Sequence, residues 1–108
     1  MITVTAYKES GAWRGFTCEG HAGYAQSGED IICSAVSALA INAVNSIEEF
    51  TDDAIEIEQV EDGGYLRMRF SDAPGEKAAL LMDSLVLGIR SIEADYGKEY
   101  ITLEVQEV

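Results

Sequence analysis

DIICSAVSALAINAVNSIEEF, residues Asp30 to Phe50, repeats its apolar side chains at helical intervals. Ile32, Val36, Leu39, Ala43, Ile47 and Phe50 follow one another at steps of three and four, which predicts one long amphipathic helix of about twenty residues. Asp30 stands where an N-cap is expected, its carboxylate able to accept from the first free backbone N–H groups. Ser34, Ala35, Ser37 and Ala38 give this helix an unusually small face, open to close approach by another backbone.

A stripe this long must be buried, and the flanking segments supply the cover. Upstream, Ile2, Val4 and Ala6 alternate with Thr3, Thr5 and Tyr7, the period of a strand. Lys8–Gly11 is turn-like, and Ala12–Glu19 returns as a hairpin partner carrying Trp13 and Phe16 as packing residues. Gly20 to Gly28 holds three glycines among small and polar residues and is expected as a loop. Downstream, Ile55 and Ile57 alternate with Glu56 and Glu58. Asp62-Gly63-Gly64 signals a hairpin turn, and Tyr65–Phe70 returns with Leu66, Met68 and Phe70 on one face. Pro74 suits a helix start. A second helix follows to about Tyr96, with Leu81, Leu85, Ile89 and Ile92 as its stripe and Gly97 as its stop. Ile101, Leu103 and Val105 alternate in a last strand.

The order is ββαββαβ. Two amphipathic helices can hide their stripes against one face of a five-stranded sheet, mixed or mostly antiparallel, in a two-layer α+β fold. No repeat or linker divides residues 1–108, so one domain is expected.

The chain has 108 residues, 20 acids, 7 lysines and arginines, and a net charge of −13. Phosphate backbones would repel it, so direct nucleic-acid binding is not expected. An anionic membrane surface is disfavoured for the same reason. No apolar run is read as reaching the roughly 20 residues of a bilayer span. MITVTAYKE lacks the pattern of a signal peptide, which makes a cytoplasmic protein the default. Between Arg14 and Arg67 there is no Lys or Arg at all, and eleven of the acids lie there. That span is either a solubilising surface or a field for a basic partner.

His21, the only histidine, follows a strand on the Gly-rich loop, and Cys33 falls in the expected first turn of the helix. A thiol there feels the positive end of the helix dipole, which favours thiolate. A neighbouring imidazole then makes the activated pair of a cysteine hydrolase. Asp30 works against this by its charge, unless the carboxylate is spent on capping or on orienting His21. Other readings stay open. Cys18 is a packed strand residue, a redox partner of Cys33, or, with His21 and Cys33, part of a three-ligand metal site. Tyr24 either packs the loop or touches a substrate. Ser37, one turn beyond Cys33, lines the site or back-bonds to its own helix.

The run GHAGYAQSGEDIICSAVSAL, Gly20 to Leu39, resembles the bacterial ribosomal-processing cysteine protease family, Prp. The resemblance rests on Gly-His-Ala, a short loop with a Gly, Asp-Ile-Ile-Cys, and a small-residue helix containing Ser. Ile32 and Ser34 are mild departures from the usual Val and Ala. The resemblance implies a homodimeric cytoplasmic endopeptidase that removes an N-terminal extension from a basic large-subunit ribosomal protein precursor, cutting after an apolar, aromatic-containing segment. It implies Cys33 as nucleophile and His21 as general base, with Gly20, Gly28, Asp30 and Ser37 in support. It also implies a mobile loop over Ala22–Glu29, with Ala22, Gly23 and Tyr24 beside the substrate, and no metal or organic cofactor. The competing reading is a non-catalytic acidic module that binds a basic ribosomal protein.

Overall fold

The structure is a computed structural model that describes residues 1–20, 27–60 and 64–108, with the backbone alone for residues 27–30. The elements run β1 (Ile2–Glu9), β2 (Ala12–Glu19), α1 (Ser27–Phe50), β3 (Ile55–Gln59), β4 (Tyr65–Phe70), α2 (Glu76–Tyr96) and β5 (Ile101–Glu107). This is the ββαββαβ order expected from the sequence. The Asp62-Gly63 part of the expected hairpin turn lies outside the described residues.

The five strands form one sheet in the order β3-β4-β2-β1-β5. β1 and β5 pair in parallel, and the other three pairings are antiparallel. β2 therefore runs parallel to β3, and β4 to β5. Parallel strands cannot be joined by a tight turn, so each connection carries a helix across the sheet. The first crossover is α1 and the second is α2, and both pack on the same face.

Alternation decides which side chains meet the helices. Val4, Ala6, Phe16, Met68 and Phe70 point inward from the strands, against Ile32, Val36, Ala43 and Ile47 of α1 and Met82, Leu85 and Ile89 of α2. All are nearly or fully buried. Trp13 is buried too, and its indole N–H donates to Asp83 of α2 at 2.7 Å, tying the hairpin to the second helix.

Several expectations are corrected. α1 begins at Ser27, so Asp30 is a helical residue and not the N-cap, and Gly28 belongs to the helix rather than the loop. Phe50, the last residue of α1, is 65 % exposed. The buried stripe of α2 is Ala78, Met82, Leu85, Val86 and Ile89, with Leu81 and Ile92 only partly covered at its sides. Pro74 precedes the N-cap Gly75 rather than opening the helix. Ile31–Phe50 does have the length and apolar composition of a membrane span, contrary to the sequence expectation. One face of it, with Ile32, Val36, Ala40, Ala43, Val44 and Ile47, lies in the core.

Candidate active site

Cys33 lies six residues past the start of α1, one turn deeper than the sequence suggested. In a helix its amide is committed to the carbonyl four residues back. The free N–H groups and the helix dipole belong to the first turn, so they act on Cys33 more weakly than expected. The thiol is partly exposed at the mouth of a cavity of about 200 Å³.

That cavity is framed by α1 and the sheet, with Ile2 of β1 on its wall. α1 contributes Cys33, Val36, Ser37, Ala40 and Ile41. β2 and its end contribute Cys18 and Gly20, and the β3–β4 pair contributes Gln59, Tyr65 and Leu66. Ser37 is thus beside Cys33, as the one-turn spacing requires, and its hydroxyl makes no hydrogen bond to another described residue. Cys18 faces Val4 and Leu66 across the sheet and lies beneath the cavity. Burial pushes its thiol up from 9.0 to about 12, so it stays protonated and serves as packing. Both cysteines are free thiols.

Gly20 lies on the wall of this cavity. Its φ is +97°, and a Cβ there would overlap the Met1 carbonyl oxygen. Its N–H donates to the Gly64 carbonyl at 3.0 Å. Glycine is needed here on both counts. His21, Ala22, Gly23 and Tyr24 lie outside the described residues, as does the side chain of Asp30.

A second hollow of about 220 Å³ continues the cavity. It shares Ile41, Gln59 and Leu66 with the first and adds Val44, Asn45, Glu48 and Ile57. Together they form a groove from Cys33 along α1 and the edge strand β3. Sequence reasoning missed its lining. Ile41 carried a signal, an apolar residue off the buried stripe, and it is 46 % exposed. Gln59 and Tyr65 carried none, since only the crossover brings them near α1.

The family model described as cysteine protease Prp matches residues 1–102. The chain belongs to the Prp family of cysteine proteases. A ribosomal processing cysteine protease Prp of Staphylococcus aureus is 28 % identical over 99 residues, covering 91 % of this chain and 93 % of that protein. The Bacillus subtilis Prp is 32 % identical over 85 residues, covering 75 % and 76 %. The S. aureus Prp structure with a covalently linked product peptide superimposes with a TM-score of 0.88 at 29 % identity, covering 97 % of this chain and 99 % of that one. SMU.848 from Streptococcus mutans gives 0.89 at 32 % identity, covering 100 % and 96 %. This Prp-family chain is accordingly a cysteine protease, of a family acting in ribosomal processing, on the family's α+β fold.

Proposed function

We propose that the chain is an endopeptidase in which Cys33 is the nucleophile and His21 the general base. Gly20 carries this reading: it lines the same cavity as Cys33 and is joined to His21 by a single peptide bond. The Cys33 sulfur attacks the scissile carbonyl and forms the acyl-enzyme. His21 holds the thiol proton and passes it to the leaving amine. Water, deprotonated by His21, then attacks the thioester and releases the acid, restoring the thiol. The Cys33 amide is spent inside α1, so the oxyanion takes its hydrogen bonds from other donors.

The substrate is a peptide, in line with the substrate-peptide complex of the S. aureus relative. It is the N-terminal extension of a large-subunit ribosomal protein precursor, cut after an apolar, aromatic-containing segment. Ile41, Val44, Ile57 and Leu66 give the groove the apolar lining that such a segment needs, and Glu48 at its far end suits a basic side chain. The protein works in the cytoplasm as a single domain and pairs as a homodimer. Exposed Ser34 and Ala38 leave the outer side of α1 open to close approach.

Incubating the chain with the organism's own ribosomal precursor, read by mass spectrometry, tests the reading. Cys33→Ala and His21→Ala are expected to leave the fold intact and abolish the shortened product. Product formation by Cys33→Ala would sink it. A non-catalytic acidic module, the competing reading suggested by the Lys- and Arg-free span, would bind the precursor equally well with Cys33→Ala and never shorten it.

A further inference from the structure

The sheet face that the helices leave bare carries a hollow of about 350 Å³, larger than the one at Cys33. Three of the chain's four arginines line it: Arg14, Arg67 and Arg69. We propose that this hollow binds a compact oxyanion, a phosphate or carboxylate group carried by a small molecule.

The backbone builds the site. Alternation along β4 sends Leu66, Met68 and Phe70 to the core, and Arg67 and Arg69 to the outer face, about 7 Å apart along the strand. Arg14 is the extra residue of a β-bulge, since Tyr7 pairs with Gly15 and Lys8 pairs with Trp13. A bulge re-aims the side chain it carries. Gly15 follows it because a Cβ there would overlap the Met68 carbonyl oxygen.

Arg14 is ion-paired with Glu9, which also lines the hollow, while Arg67 and Arg69 form no ion pair among the described residues. One terminal nitrogen of Arg14 donates to Glu9 at 3.2 Å and the other to the Phe70 carbonyl at 3.4 Å. Its Nε is buried and has no partner among the described residues. Glu58 and Glu56 stand opposite Arg67 and Arg69 in register, yet neither pair closes into an ion pair. The Tyr7 and Thr17 hydroxyls hydrogen-bond to each other at 3.4 Å, which leaves one free O–H donor in the lining. Glu19 also lines the hollow, at its far end beside Tyr65, and limits how long an anion fits. Arg67 and Arg69 stand side by side without an ion pair, and guanidinium forks match phosphate and carboxylate oxygens in geometry. The volume is at the small end of ligand sites.

The test is a titration of the whole chain with inorganic phosphate and, separately, succinate. Each is compared with sodium chloride at equal ionic strength, and backbone amide shifts and Tm are followed. We expect a saturable response to at least one oxyanion, centred on β2 and β4. Its apparent Kd should rise at least tenfold in Arg67→Gln and in Arg69→Gln, and stay unchanged in Arg90→Gln on α2. Tighter phosphate binding assigns a phosphorylated ligand, and tighter succinate binding a carboxylate. No saturable response beyond chloride would overturn the site. So would equal binding by Arg67→Gln and Arg69→Gln, which would leave the arginines as mere counter-charges to Glu56 and Glu58.

Discussion

Cys18 and Cys33 line one cavity from opposite sides, β2 and α1, and both are half-buried there, with desolvation raising the Cys18 thiol. Burial keeps Cys18 protonated up to about pH 12. With limiting iodoacetamide at pH 8, Cys33 is expected to alkylate and Cys18 to react only on unfolding. Peptide mapping checks this. Equal labelling of both in the folded state would contradict the assignment.

The same burial ties stability to alkali. Unfolded, Cys18 loses its proton near 9.0; folded, it keeps it to about 12. Its contribution is therefore fully present below about pH 9 and is lost as pH rises toward 12. Chemical denaturation across that window should show a slope that flattens in Cys18→Ala. An unchanged slope would mean that other groups set it.

Gly20→Ala should strain the left-handed backbone and drive a Cβ into the Met1 carbonyl. We expect a loss of about 1–3 kcal/mol in stability. Peptide cleavage should fall further than Tm alone explains, because the strain sits one bond from His21. Full activity in the folded variant would detach Gly20 from the site.

Ile41 is exposed on the groove wall and absent from the buried stripe. Ile41→Glu should leave Tm within a degree or two. It should raise KM for an apolar peptide about tenfold, the equivalent of one lost apolar contact of roughly 1.4 kcal/mol. An unchanged KM would move the apolar segment elsewhere.

For a basic precursor, kcat/KM should fall as salt rises from about 0.05 to 0.5 M, because the acidic span steers association. A flat profile would return the acidity to solubility alone.

Much of this was readable along the chain. Two-residue alternation marked four of the five strands, the turn at Lys8–Gly11 marked β2 as a hairpin partner, and three-and-four spacing marked both helices, because those periods follow from backbone geometry. Asp30 shows where local reading fails. A good capping residue was available, but the helix extends back to Ser27, and that moved Cys33 out of the first turn. Exposed Phe50 shows the same limit, since periodicity does not reveal which turn of a helix is left uncovered.

The sequence by itself determined the element order and the motif Gly20–Leu39, since each is written in neighbouring residues. Only the tertiary structure decided what lies beside what. The crossover of α1 over β4 brings Gln59, Tyr65 and Leu66 to Cys33. The β2–β4 pairing gathers Arg14, Arg67 and Arg69 on the bare face. Both depend on strand order, which is set by long-range packing and leaves no trace in local spacing. The net charge of −13 concealed that cluster, because a sum over the chain says nothing of where its few cations meet.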